Sequence, residues 1–479
     1  MTDARATAEH LIRRFARQTN LLVAGRAVRV IGDDDTAHAL REMLRALGAI
    51  DAETADALVF TPEPLLAGAP LPDRGDAAGR VDFAGAHMPV SRAQAARLAE
   101  DGTVRGVRIG IAMVLEPKTA QLALLLRDAG AEVAVYAHPD EIAVAVADVL
   151  RDRGIPVDGD PALTGRAERD AAIAFLRRGH DLLLDDGSHL IRLAHEERLV
   201  DGLVGAAEET TSGLAPLRAM QDAGVLCIPV VAVNDAPMKT SFDNRYGTGQ
   251  SCVFAIADVL DGVGLSVRDQ PAVVVGYGPV GVGVAAHLAA LGAEVGVAET
   301  DPVRALQAAH DGHRVGPLMD LAPGALVVSA TGAPYTIGAD VLAVARIVAV
   351  AGGVPGEVDL DEGMLHPVLS PGGDLLAHLE RHGVDGALVI DRGGCVNLTA
   401  GEGNPIEIMD LSFAVQLAAV AHLVREPLEP GVHRLPADVD ASVARTALQA
   451  RGQRIDARGS RQQIAEADWR SRRYAGSRA

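Results

Sequence analysis

Aromatic residues are scarce in this chain (3%, with a single tryptophan), cysteines number three, and basic residues fall well short of acidic ones, 44 against 64. The resulting formal net charge of −20 argues against nucleic acid or an anionic membrane surface as partner, although solubility alone would account for it. Cys227, Cys252 and Cys395 have no metal-ligand spacing, and three thiols cannot all pair within the chain. Free, partly buried thiols in a reducing cytoplasm are therefore expected, with no metal site. No uncharged apolar run reaches the ~20 residues of a membrane span. Residues 1–17 carry charge throughout and lack the apolar centre of a signal peptide. Ala, Val, Leu and Gly dominate what is left, as in an α/β protein, and 479 residues are too many for one core, so two or three domains are expected.

Against this background one stretch is informative. The apolar run 272–275 leads into Gly276-x-Gly278-x-x-Gly281, an alanine-rich segment of helical spacing follows over 284–291, and a second apolar run, 295–298, ends at Glu299. Strand, glycine turn, helix, strand and acid stand in the order a dinucleotide site requires. Gly276 permits the tight turn, Gly278 lets the backbone approach a pyrophosphate, and Gly281 lets the helix pack on the strand. The helix start offers free N–H groups and positive dipole to the phosphates. Glu299, about 20 residues on, suits a ribose 2′-OH and would repel a 2′-phosphate, which favours NAD over NADP. Gly276, Gly278, Val280, Gly281 and Glu299 are thus the expected cofactor contacts.

Residues 1–80 read as a small α/β appendage, with a strand over 27–32 and an amphipathic helix over 37–47. They faintly repeat the cofactor unit, but Asp33, Asp34 and Asp35 replace the glycine turn, so no nucleotide is expected there. A Pro/Gly-rich linker is read over 61–79. From residue 107 strands and helices alternate: strand 107–113, helix 119–129, strand 132–136, helix 141–153, helix 171–178 and strand 182–184, ending at Asp185-Asp-Gly187. Such alternation predicts a parallel sheet with helices on both faces. The cofactor unit interrupts this domain, and the chain returns through a helix over 406–424. The division predicted is 1–80 appendage and linker, 81–245 substrate domain completed by 403–435, 246–402 NAD-binding domain, and 436–479 a charged tail. Hinges are expected near 234–250 and near Glu402.

Further motifs give the chain a family resemblance over about residues 80–436. They are His87-Met-Pro-Val90, Leu115-Glu-Pro-Lys-Thr119, Asp185-Asp-Gly187, Glu208-Glu-Thr-Thr-Ser-Gly213, Val233-Asn-Asp-Ala-Pro-Met-Lys-Thr-Ser-Phe-Asp-Asn-Arg-Tyr-Gly-Thr-Gly-Gln250, Glu299-x-Asp301-Pro302, Ala330-Thr-Gly332 and Val396-Asn-Leu-Thr-Ala-Gly-Glu-Gly-Asn-Pro405, the last running into Met409-Asp-Leu-Ser-Phe413. Together they resemble S-adenosylhomocysteine hydrolases, most of all the archaeal and thermophilic branch. The resemblance implies two Rossmann-like doubly wound parallel-sheet domains, a homotetramer or homodimer, and a nucleoside bound between the domains. It also implies a chemistry in which NAD oxidises the ribose 3′-OH, the ketone acidifies C4′–H, the 5′ substituent leaves by β-elimination, water adds to the alkene, and the ketone is reduced again. By the same resemblance Lys239 accepts the 3′-OH proton, Asp243 stands beside the ribose hydroxyls, and Asn244 is its neighbour on the cofactor side. Asp186 is the acid/base near C4′ and C5′, and Glu209 bonds the ribose. Thr210, Thr211, Thr331, Gly332 and Asn397 help hold NAD, while Glu116, Lys118, Thr119 and Asn404 contribute to the substrate pocket.

The departures matter as much. The family has histidine where this chain has Val114, Gly353 and Asn404. Imidazole is the side chain best suited to moving protons near pH 7, and a general acid/base is worth ~10²–10⁴ in rate. Losing three leaves the redox residues in place but should impair departure of homocysteine, addition of water, or both. His189 stands where the family has aspartate; it is either a substitute proton donor or an exposed loop residue. Arg470 and Tyr474 have the spacing of a C-terminal pair that reaches a neighbouring subunit's NAD in many members, a device absent from the archaeal-like branch. Three functions stay open: a nucleoside dehydratase or lyase stopping at a 4′,5′-unsaturated nucleoside, a conventional hydrolase with a rearranged acid/base set, and a non-catalytic NAD-binding regulator. Retention of Lys239, Asp243, Asp186 and Glu209 argues against the third and the lost histidines against the second, which favours the first.

Overall fold

The computed structural model describes residues 3–52, 54, 57–61, 63–268, 270–370, 372–470 and 473. Its strands fall into three sheets. The N-terminal sheet holds β1 (Ala27–Val30), β2 (Ile50–Asp51), β3 (Leu58–Phe60), β4 (Pro64–Leu66) and β5 (Ala69–Pro70). Strand β1 pairs in parallel with β2 and β3, and β3–β4–β5 form an antiparallel meander. The stretch read as a linker over 61–79 therefore contains the edge strands β4 and β5 and runs into the helix Ala77–Ala86. Its proline and glycine suit short edge strands and tight turns, which composition alone does not distinguish from a linker. Asp34 caps the helix Asp35–Ala46 by accepting from Ala37 N at 2.8 Å.

The second sheet contains β6 (Arg108–Ala112), β7 (Glu132–Tyr136), β8 (Val157–Asp158), β9 (Leu182–Asp185), β10 (Gly205–Glu208) and β11 (Pro229–Ala232). The third runs through β12 (Ala272–Val275), β13 (Val295–Ala298), β14 (Arg314–Val315), β15 (Leu326–Ser329), β16 (Ile347–Val350), β17 (Leu365–Leu369), β18 (Leu375–His382) and β19 (Leu388–Ile390). The chain then returns, and β20 (Gly431–Arg434) pairs in parallel with β11. Strand order is β20-β11-β10-β9-β6-β7-β8 in one sheet and β14-β13-β12-β15-β16-β19-β18-β17 in the other. Pairing is parallel throughout the first and from β14 to β19 in the second, where the β17–β18 hairpin adds an antiparallel edge. β9, β10, β11, β12, β13, β15 and β16 are buried at every residue, the signature of strands covered by helices on both faces.

The N-terminal part is more closely docked than an appendage. Helix Ala4–Thr19 buries Leu11, Ile12 and Phe15, and its buried Arg13 bridges Asp258 and Asp261 of the helix Thr248–Asp261. The tail also begins with packed structure. Helix Ala437–Ala450 buries Val443 and Ala447, and buried Asp440 accepts from Met238 N at 3.2 Å. Interleaved charges on its outer face hide this amphipathic pattern in the sequence. Among the described residues one helix, Ile406–Arg425, is long and apolar enough to cross a membrane. It is a core element here, packed on Pro89–Asp101, where its Asp410 accepts from Val90 N and Ser91 N at 3.0 and 2.7 Å.

Candidate active site

The chain crosses between the two large sheets twice, and each crossing is built from short turns that bring polar side chains together. Beyond β11 come a 3₁₀ turn (Val233–Asp235), a four-residue helix (Pro237–Thr240) and a π-helical turn (Asp243–Gly247) that runs into Thr248–Asp261. A π turn widens the helix by one residue and often marks a functional site. Here it turns Asp243 and Asn244 toward Lys239. The Lys239 ammonium lies 2.9 Å from Asp243 Oδ2 and donates to Asn244 Oδ1 at 3.1 Å and Asn234 Oδ1 at 3.3 Å, with Glu209 Oε1 at 4.0 Å. All are buried. Burial pulls the Lys239 pKa down, but Asp243, Glu209 and Asp186 outweigh it and hold the ammonium above its usual range.

The second crossing ends at Asn404, whose amide is used at both ends. Nδ2 donates to Asp243 Oδ1 at 2.7 Å and Thr248 Oγ1 at 3.1 Å, and Oδ1 accepts from Ser251 Oγ at 2.7 Å and Asn397 Nδ2 at 3.0 Å. Asn397 in turn accepts from Cys395 Sγ at 2.8 Å. A neutral amide with every donor and acceptor occupied fixes orientation and carries no proton to give.

Four acids stand at the C-terminal ends of β9 and β10. Burial lifts Asp185 to about 7, although it accepts from Asp186 N and Ile191 N at 3.0 and 2.8 Å. Burial also raises Asp186, with Lys239 pulling the other way. Glu208 accepts from Gly187 N, Ser188 N and Thr210 N at 2.8–3.0 Å, pinning the loop that carries Asp186; burial and the two aspartates push it well up. Glu209 is lifted to about 7 by burial and accepts from Ser412 Oγ and from Gln416 Nε2, the latter at 2.6 Å.

The glycine turn fits a dinucleotide. A Cβ on Gly281 would strike Gly276 O, and Gly276 lies at φ +89°, whereas a Cβ on Gly278, the cap of the helix Pro279–Ala290, would meet only the Arg304 guanidinium, at 3.5 Å. Burial pushes Glu299 up, but N–H groups of Asp301, Tyr277 and Thr300 outweigh it, so the carboxylate at the end of β13 stays below its usual range. Buried Glu357 accepts from Ser329 Oγ, Gly332 N and Thr331 Oγ1 at 2.5, 3.1 and 3.2 Å, orienting the Thr331–Gly332 turn.

A cavity of about 940 Å³ joins these parts. It is lined by Lys239, Asp243, Asn244, Asp186, Glu209, Glu116, Thr119, Asn404 and Asn397, and on the cofactor side by Gly276, Gly278, Val280, Glu299, Thr210, Thr211, Thr331 and Gly332. Val114 and Gly353 line it too, and the direction of a Gly353 side chain is open for 4 Å. Gly281 lies behind the turn as a packing glycine.

Two expectations need correction. Lys118 is not a cavity residue: its buried ammonium is consumed by Glu116 Oε2, Glu402 O and Asn20 Oδ1 at 2.7, 2.6 and 3.0 Å. His189 also lies outside the cavity. The residue is exposed, its ring covers Gly187 and its Nδ1 accepts from Arg192 at 3.2 Å, while desolvation of the ring lowers its pKa, so it is not placed to give a proton to substrate. Arg470 is exposed, paired with Asp468 and stacked on Trp469, away from its own chain's cofactor cavity; Tyr474 lies outside the described residues. Asn234, Ser412, Gln416 and Glu357 were not singled out. The first two sit inside quoted motifs, and the other two act across the fold, which no local signal reveals.

Residues 244–366 match the family model "S-adenosyl-L-homocysteine hydrolase, NAD binding domain". The chain is 37% identical to the S-inosyl-L-homocysteine hydrolase of Methanopyrus kandleri, over 78% of this chain and 90% of that one. It is 36% identical to the adenosylhomocysteinase of Archaeoglobus fulgidus (82% and 98%) and 34% identical to that of Thermotoga maritima (79% and 95%).

Proposed function

The chain belongs to the S-adenosyl-L-homocysteine hydrolase family, and from that premise we propose that it is a diverged member: an NAD-dependent nucleoside dehydratase or lyase releasing a 4′,5′-unsaturated nucleoside. The observation that carries this reading is the contrast within one cavity. Lys239, Asp243, Asn244 and Glu209 form a connected, buried cluster, whereas Val114 and Gly353 line the same cavity with no proton-transfer group.

NAD, when bound, supplies the oxidising equivalent that makes the ribose 3′-OH a ketone and returns it at the end. The chain's own residues divide the remaining work. Lys239 takes the 3′-OH proton as its neutral amine and becomes the ammonium that Asp243 and Asn244 then hold. Glu209, aimed by Ser412 and Gln416, accepts from a ribose hydroxyl. Asp186 removes the C4′ proton, which the ketone has acidified. The electrons left at C4′ form the 4′,5′ double bond, and the C5′–O bond breaks with its pair going to oxygen, which leaves as water once protonated. Val114 and Gly353 offer nothing to activate a water for the reverse addition, so the alkene is the end point.

The competing reading, a conventional hydrolase, draws on relatives bearing that name. The two part on mass spectrometry of the NAD-loaded protein with adenosine, inosine or S-adenosylhomocysteine in D₂O. Loss of water from a free nucleoside supports the dehydratase; release of homocysteine with full hydrolysis overturns it.

A further inference from the structure

Strand register brings an unassigned histidine to the same end of the sheet as Asp186, with one strand between the two. Ala112 of β6 is the partner of both Tyr136 on β7 and Asp185 on β9. The residues just past these strand ends, His138 and Asp186, therefore emerge at one edge of the sheet. The His138 ring meets the loop after Asp186 through His189: the two imidazoles stand edge-on with centroids 5.2 Å apart, and His189 covers Gly187. His138 Nδ1 lies 3.1 Å from Glu168 Oε1, so it donates there and leaves Nε2 as the acceptor. That Nε2 is buried and has no hydrogen-bond partner among the described residues. A buried polar atom without a partner is costly and calls for a role. Glu168 is one-third exposed, which opens the far end of the pair to solvent. The titratable groups beside His138 are Tyr136 on β7, whose ring stands edge-on at 5.1 Å, Glu168 from the helix Arg166–Leu176, His189 with its partner Arg192 on the helix His189–Glu196, Asp140 and Glu141 in its own loop, and Asp186.

We propose that the His138–Glu168 pair is a proton relay through which Asp186 exchanges protons with solvent, taking over work for which Val114 and Gly353 have no group. This rests on the assignment of C4′ deprotonation to Asp186. The proton Asp186 takes from C4′ passes to His138 Nε2, the Nδ1 proton passes to Glu168, and Glu168 releases it to water. Run backwards, the same steps deliver the proton that the departing C5′ oxygen needs, so C4′–H and C5′–OH become an alkene and one water with no net charge. His138 acts through Asp186 and is a positioning residue, not one that touches substrate.

The test uses the NAD-loaded full chain with C4′-deuterated adenosine, followed by nicotinamide absorbance, loss of deuterium to solvent, and alkene formation. His138→Gln, which can still bond Glu168, should leave NAD reduction within about twofold and slow both deuterium washout and elimination by about 10²-fold. Glu168→Gln should slow the same two steps and alter their pH profile. Unchanged washout in His138→Gln overturns the relay, and so does loss of NAD reduction along with it, which would mark a structural role. If wild type washes out deuterium but releases no water, the dehydratase reading falls while the relay is still judged on washout. If it neither reduces NAD nor exchanges C4′ with adenosine, inosine or S-adenosylhomocysteine, both fall.

Discussion

At the residue scale the site depends on few groups with little redundancy. Lys239 is the cation on which Asp243, Asn244, Asn234 and Glu209 converge. Lys239→Ala should abolish reduction of bound NAD by nucleoside, by at least the ~10²–10⁴ of a general base, while leaving NAD bound. Normal accumulation of NADH in that variant would remove Lys239 from the redox step. Glu209, lifted to about 7 by burial, gives a pH prediction. It accepts from the ribose only as carboxylate, so nucleoside affinity should weaken by roughly tenfold per pH unit below 7 and level off above it. Glu209→Gln should flatten that profile, as read by titration calorimetry. Much of this set was legible because Lys239, Asp243 and Asn244 share one contiguous motif. Asn404 was singled out in the sequence, but its bond to Asp243 spans 161 residues. Likewise, nothing local in the helix containing Lys118 reveals that Glu402 O captures its ammonium.

At the scale of elements the decisive feature is how closely the cofactor helix meets the catalytic turn. A Cβ on Gly283 would strike Arg245 O, so the helix Pro279–Ala290 rests directly on the π turn. Gly283→Ala should push Asp243 and Asn244 out of place and lower turnover by about 10²-fold, with a smaller effect on NAD affinity; equal losses of both would refute the coupling. The loop after β9 makes a stability prediction. Asp185 is raised to about 7 in the fold against about 3.9 unfolded. Between these values the folded state binds more protons, so wild type loses stability from this group as pH rises from 4 to 7. Asp185→Asn should therefore be less destabilising at pH 8 than at pH 4.5, measured as the gap in Tm. The strands that carry these loops were legible from their apolar runs, whereas the meander at 57–70 was not, because edge strands of two or three residues rich in Pro and Gly read as linker.

For the whole molecule, the N-terminal part works as a clamp on the second crossing. Arg74 grips Glu402 with two bonds of 2.5 and 2.9 Å, Asn20 Oδ1 accepts from Lys118, and Asn20 O accepts from Ile406 N at 2.9 Å. Arg74→Ala leaves the largely buried Glu402 carboxylate with only Arg80, 3.6 Å away, and should lower Tm; an unchanged Tm would show the clamp to be idle. This role was invisible in the sequence, where residues 1–80 lie outside the family motifs and show only a faint echo of the cofactor unit.

The bond between Asp243 and Asn404 has one more consequence, for the chain's ancestry. An entire cofactor-binding unit enters and leaves its host through a gap one hydrogen bond wide. A unit whose two ends meet can be exchanged or inherited as a cassette, because a splice of a few residues would rejoin the host and leave its seven-stranded sheet uncut.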